Sequence, residues 1–165
     1  MIEYVRTILT GKFEASLCML NDCVQKCPPE QWEGKIANST FRQIAYHTLF
    51  FVDQYLSPSE AAFQLRDCHH RGGDERSSTA PSTGLTKDET LSYLAICRQK
   101  ARETLASETR ESLQRESGFS WLPFSRGELH LYNVRHVQHH TGQLSAHLRR
   151  IVKDGERWWV KTGWR

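Results

Sequence analysis

The residues of this chain best suited to chemistry are three histidines: His47 in one segment, and His136 with His140 far downstream. The downstream pair lies in Asn-Val-Arg-His-Val-Gln-His-His-Thr-Gly-Gln, so in a helix both imidazoles project from one face, a turn apart. Two imidazoles at that spacing can bind one cation, and a third from a neighbouring helix makes a three-nitrogen site with open positions. A divalent zinc or nickel ion held by neutral histidines keeps its positive charge and room for water or substrate. It can draw the pKa of water towards neutrality, or hold a thiol as thiolate.

The elements that must position these side chains follow from apolar periodicity. Val5, Ile8, Leu9, Phe13, Leu17, Leu20 and Val24 recur at three- and four-residue intervals, which predicts a helix over residues 2–26, closed by Pro28-Pro29. A second helix starts at Ser39 or Thr40, either a good N-cap, and runs to about Leu56, where Ser57-Pro58 stops it. Residues 57–85 are irregular and rich in Ser, Gly, Pro and charge, which predicts a long crossover of the kind that often serves as a lid. Thr86-Lys87-Asp88-Glu89 is a capping box, opening a helix that carries Leu91, Leu94, Ala95, Ala101 and Leu105. A fourth helix runs from about Arg126 to Val152. With no alternating strand pattern, the expectation is an all-α four-helix bundle, a single domain over residues 1–165, with the long crossover between helices 2 and 3.

On a helical wheel, Leu129, Asn133, His136, His140, Leu144, His147 and Ile151 share one face, with Val137 and Leu148 beside them. Arg135, His139 and Ala146 point elsewhere. The core-facing stripe is thus apolar at its ends and polar in its middle. A buried polar group without a partner costs a few kcal/mol, and a metal removes that cost by turning imidazole nitrogens into ligands. A hydrogen-bonded polar core layer is the other reading of the pair. His47 sits beside Ile44 and Phe51, at the edge of its apolar arc, which suits a ligand at a pocket mouth or a half-exposed histidine. Gln143, one turn past His140, and Asn133, below His136, are candidates to orient ligands, as are Tyr46 and Asp53 near His47. His147 lies too far along the axis to share the same ion and is expected to support the core or the groups behind the ligands.

Bulk properties narrow the field. A chain of 165 residues can bury one substantial core, and no run of eighteen apolar residues predicts a membrane span. Nor does the N-terminus read as a signal peptide, so a cytoplasmic location is expected. The net charge is +3, with 22 basic residues interleaved among 19 acidic ones, so no basic stripe argues for nucleic acid. The exception is the end, where Arg149, Arg150, Lys153, Arg157, Lys161 and Arg165 flank Trp158, Trp159 and Trp164. These indoles are expected to pack on the bundle or a second subunit rather than on nucleic acid or a membrane. Five cysteines, an odd number, argue against a disulfide framework, and Cys18, Cys23 and Cys27 lack zinc-knuckle spacing. Cys68-His69-His70 on the crossover reads as a solvent-exposed loop segment. No serine sits in a nucleophile-elbow context, and no residue stands out as a general base.

Phe-Arg-Gln-Ile-Ala-Tyr-His-Thr-Leu-Phe-Phe-Val-Asp-Gln-Tyr-Leu (41–56), followed far downstream by His-Val-Gln-His-His-Thr-Gly-Gln-Leu (136–144), resembles the DinB superfamily of metalloenzyme-like bundles. The resemblance implies a four-helix bundle with His47, His136 and His140 as metal ligands and Gly142-Gln143 as the trailing signature. Thr141 stands where relatives often carry Arg. Some relatives transfer low-molecular-weight thiols and others isomerise small acids with a thiol cofactor. By this resemblance the chain is expected to be a homodimeric, metal-dependent enzyme that activates a small thiol or water for transfer or hydrolysis on a small molecule. A non-catalytic metal-binding or stress-response bundle acting through partners is the alternative.

Overall fold

The computed structural model describes residues 1–72 and 84–152. The tryptophan-rich tail, including Trp158, Trp159 and Trp164, and most of the distal crossover lie outside these residues. Four long helices dominate: α1 (Ile2–Lys26), α2 (Phe41–Leu56), α4 (Lys87–Ser107) and α6 (Arg126–Ile151). Shorter pieces lie between them, namely a 3₁₀ turn at Pro29–Gln31, α3 (Asp67–Gly72) and α5 (Arg110–Gln114). The sequence periodicity anticipates the long helices to within a residue or two. It does not anticipate the short ones, nor the two-residue strands β1 (Lys35–Ile36) and β2 (Ser39–Thr40), which pair antiparallel just before α2. So short a ladder has no alternation to read. Its turn passes through Ala37 at φ 55°, a left-handed conformation that tight hairpins require.

Local chemistry explains where the helices begin. Thr40 accepts from the Gln43 amide while the Gln43 side chain returns a bond to the Thr40 amide, a complete capping box. Thr86 with Glu89 and Ser125 with Glu128 repeat the device at α4 and α6. Each box satisfies amide groups that a helix start leaves without partners.

Packing closes the four long helices into a ring: α1 and α2 each contact α4 and α6, which puts α1 and α2 on one diagonal. Between them sit fully buried Leu17, Leu20, Leu49, Leu94, Leu105, Leu144 and Leu148. Burial of each such side chain is worth about 2 kcal/mol before chain entropy is charged against it.

One side chain sets the register between α2 and α6. Arg126, in the first turn of α6, donates to the carbonyls of Tyr55, Leu56 and Ser57 at the end of α2, at 2.6–3.1 Å. It therefore caps α2 and anchors α6 against it in one contact. Higher up, Asn133 Nδ2 donates to Val52 O at 3.4 Å. From that anchor the helices run antiparallel, so ten to fourteen residues along α6 (about 15–21 Å) reach the level of a residue eight to ten back along α2 (about 12–15 Å). That is how His136 and His140 come to face His47.

Two expectations need correction. Ile151, placed on the core-facing stripe, is 37% exposed, whereas Leu148 in the same last turn of α6 is fully buried and Val152 packs against the core. His69, placed on a solvent-exposed loop, is buried at 1% exposure on α3. Its ring packs among Phe50, Phe63 and Tyr93 at centroid distances of 5.2–5.8 Å. Its Nδ1 accepts the Arg66 amide at 2.9 Å, which leaves Nε2–H to donate to the Tyr93 hydroxyl at 2.8 Å. Cys68 is half-buried.

Candidate metal centre

His47, His136 and His140 come together between α2 and α6, each offering one ligand atom, and these atoms lie within 4.8 Å of one another. The ring centroids are 4.6–5.3 Å apart. The Nε2 atoms of His47 and His136 face each other at 3.4 Å. Tetrahedral coordination with bonds of about 2.05 Å separates ligand nitrogens by roughly 3.3 Å, so this spacing fits one ion between the two rings.

The tautomers are arranged for the same outcome. His140 Nδ1 lies 2.8 Å from Gln143 Oε1, an atom that can only accept, so Nδ1 carries the proton. The lone pair is then on Nε2, the nitrogen that would ligate an ion. His136 is held neutral: burial, with His140, His47 and His139 nearby, brings its pKa down to about 3. A neutral imidazole is the form that binds a metal. Two facing imidazole nitrogens share at most one proton in their contact, and His136 Nδ1 is buried without a protein partner. A cation among the three rings replaces contacts that protons satisfy poorly.

All three rings are half-buried. The wheel placed His136 and His140 in the middle of the core-facing stripe. The centre of that face is instead marked by His130, Val137, Thr141 and Leu148, all buried, and the pair lies at its α2-facing edge. Ligands at an edge leave a coordination position towards solvent, whereas ligands at the centre would be enclosed. His139 points outward, as read from the sequence. His147 packs its ring 6.3 Å from Phe41, in the core and away from the cluster.

The candidates for orienting ligands divide. Gln143 bonds His140 directly, while Asn133 bonds the α2 backbone rather than a histidine ring. Tyr46 and Asp53 serve a different assembly, on the α4 side of α2. Tyr46 packs against Phe50, His69 and Tyr93. Asp53 is fully buried and receives Arg66 Nε at 2.6 Å, the Tyr93 hydroxyl at 3.1 Å and Lys100 Nζ. Burial pushes its carboxyl up, but hydrogen bonds from Arg66 and Lys100 outweigh this and hold it below the usual carboxylate range.

A second buried group was also missed. Glu108 receives His130 Nε2 at 2.8 Å and Arg126 Nε at 3.0 Å, and the Ser112 hydroxyl also donates to it. Burial opposes its ionisation, yet bonds from His130, Ser112 and Arg126 bring its pKa down to about 2. Burial keeps His130 neutral. The signal for His130 was present in the sequence, since it lies on the stripe of Val134, Val137, Thr141 and Leu148. Glu108 lay beyond reach, because pairing across 22 residues leaves no local pattern.

A ring of four long helices carrying a three-histidine cluster between its second and last members defines a class of bundle with a metal-competent site. The chain belongs to the DinB superfamily, whose sequence pattern matches residues 12–144 and so spans all three histidines. Among solved structures it is similar to the crystal structure of a DinB-like protein from Bacillus subtilis. The two are 16% identical, with 93% of this chain and 98% of that chain covered and a TM-score of 0.66, a likeness of fold. No curated protein matches the chain. No helix among the described residues is long and apolar enough to cross a membrane.

Proposed function

We propose that this chain is a metal-dependent enzyme in which His47, His136 and His140 hold one divalent ion, zinc or nickel. The reaction is transfer or hydrolysis on a small molecule, with transfer of a low-molecular-weight thiol as the leading case. The observation that carries this reading is the convergence of three imidazoles, two of them with Nε2 atoms 3.4 Å apart. When bound, the ion supplies Lewis acidity to a small thiol or water.

The chain's own residues account for the rest. His47 and His136 face each other across the α2–α6 seam, and Gln143 fixes the His140 tautomer. Phe51 packs 4.8 Å from the His47 ring and 5.6 Å from the His136 ring, which keeps water from one side of the cluster. Among the described residues no fourth His, Cys, Asp or Glu joins the group. Three protein ligands with a position to spare favour chemistry over a structural ion. The same reading expects a cytoplasmic homodimer acting on a small molecule rather than on nucleic acid. The second reading, a non-catalytic metal-binding or stress-response bundle acting through partners, would be favoured by a closed coordination sphere.

Metal content measured by mass spectrometry on tag-free protein tests the site, beside the His136→Ala/His140→Ala double variant. The expected result is about one zinc or nickel per chain in the parent and none in a variant that keeps its helical circular dichroism. Stoichiometric metal in the double variant would overturn the assignment. Loss of thiol-transfer and hydrolytic turnover across a substrate panel, with metal bound, would leave the second reading.

A further inference from the structure

We infer that the aromatic side chains adjoining the histidine cluster form a binding shelf for an aryl carboxylate, with Arg135 as the carboxylate anchor. The inference deepens the proposed function by naming a substrate class, and it rests on that reading only for the direction in which the ligand's reactive end lies.

The shelf is a continuous series of ring contacts that starts at the histidines. Phe51 touches both the His47 and His136 rings, and the Tyr55 ring lies 5.3 Å from Phe51 and 6.4 Å from His136. Tyr132 lies 5.7 Å from Tyr55, and Phe124 5.7 Å from Tyr132. On the other side of Tyr55, Phe119 leads at 5.5 Å to Trp121, which is 45% exposed. The series thus runs from the site to the surface.

Burial separates its supports from its working faces. Tyr55, Phe119 and Leu129 are at least 95% buried and make a small core of their own. Phe51, Tyr132 and Phe124 are only half-buried and pack on that core from outside. Aromatic surface that is rigidly backed yet open to solvent offers stacking and edge-to-face contacts to a planar ligand without reorganisation.

A cation completes the shelf. The Arg135 guanidinium lies 5.2 Å from the Tyr132 ring centroid, is exposed, and has no carboxylate partner among the described residues. Stacking on an aromatic face holds the planar fork of an arginine in place, which prepares it for two-point contact with a carboxylate. A neutral aromatic ligand would leave this charge unused, and an aliphatic acid would leave the ring faces unused. The complementary ligand has both groups on a short tether.

The test is titration of ¹⁵N-labelled protein with phenylacetate, cyclohexylacetate and phenylethanol, following amide and indole resonances. Phenylacetate is expected to shift the backbone near Tyr132 and Arg135 and to leave the Trp121 indole, on the other side of Tyr55, less affected. It should bind about tenfold tighter than cyclohexylacetate or phenylethanol, as loss of a ring contact or a charge-assisted bond entails. Arg135→Gln, at an exposed position, should remove the advantage over phenylethanol, and Tyr132→Leu, which removes both a ring face and the surface on which Arg135 stacks, should reduce both advantages. Equal binding of all three probes, or no binding, would overturn the inference. Repeating the titration on the His136→Ala/His140→Ala variant separates this outcome from the fate of the metal site. Retained binding there keeps the shelf even if no metal is found, and binding lost only there would show the shelf to be no independent site.

Discussion

Gln143 accepts the Nδ1 proton of His140 across 2.8 Å, from one helical turn further along α6. The bond places the His140 lone pair on Nε2 and fixes the ring's rotation about its own axis. Bonds of this kind are typically worth about tenfold or more in metal affinity. Gln143→Leu should therefore weaken metal binding by about tenfold while leaving the helical signal intact, and Gln143→Glu, which keeps the acceptor, should retain it. Competition with a chromophoric chelator measures both. Equal affinity in the leucine variant would show that packing alone orients the ring.

The buried Asp53 network should matter for stability and not for metal. Asp53→Ala leaves Lys100 without a carboxylate partner and removes the acceptor of the Tyr93 hydroxyl. Breaking a buried pair from one side costs about 3–5 kcal/mol, and the partial exposure of Arg66 and Lys100 places this case at the lower end. Urea unfolding should show a lower midpoint, while metal stoichiometry per folded chain stays that of the parent.

Glu108 gives the fold an acid limit. Its folded pKa is about 2 against an ordinary 4.5, so its stabilising contribution is complete above about pH 4.5 and is lost as pH falls towards 2. The full contribution is at most about 3 kcal/mol, from 1.36 kcal/mol per pKa unit. His130 adds to the same trend, because its folded pKa is lowered and the unfolded chain takes up a proton first as pH falls below about 6.5. Thermal unfolding of metal-free protein should show a midpoint that falls over this range, and Glu108→Gln should flatten the part below pH 4.5. An unchanged slope in that variant would assign the acid limit to other carboxylates.

Two glycines should respond in opposite directions. A Cβ on Gly142 would meet nothing within 4 Å, so Gly142→Ala should stabilise α6 by about 0.5–1 kcal/mol and leave metal binding unchanged. Gly118 has φ +85°, and a Cβ there would lie 2.5 Å from the Pro58 carbonyl oxygen. Gly118→Ala should cost about 2 kcal/mol or more, because backbone strain and a clash against main chain both apply. Calorimetry of the two variants checks the contrast.

Much of this molecule is written in local patterns. The apolar spacing of Leu9, Phe13, Leu17, Leu20 and Val24 defines α1, and Thr86 with Glu89 defines the start of α4, because helix periodicity and capping involve residues within four of each other. The pairing of His136 with His140 is legible for the same reason. His47 joined them only by resemblance, since nothing local ties a residue to a partner 89 positions away.

The remainder depended on contacts between helices. Arg126 looked like an ordinary first-turn residue, yet its three bonds to the end of α2 set the height at which His47 meets the pair. His69 looked like part of an exposed loop, and burial among aromatic rings with Tyr93 as partner removed it from solvent. The sequence by itself determined the helices, their order and which imidazoles share a face. Only the tertiary structure decided which face is core and which is edge, and so turned three histidines into an accessible site. The reason is physical: propensity and capping act over a single turn, whereas burial, charge pairing and ligand convergence are properties of surfaces that distant segments make together.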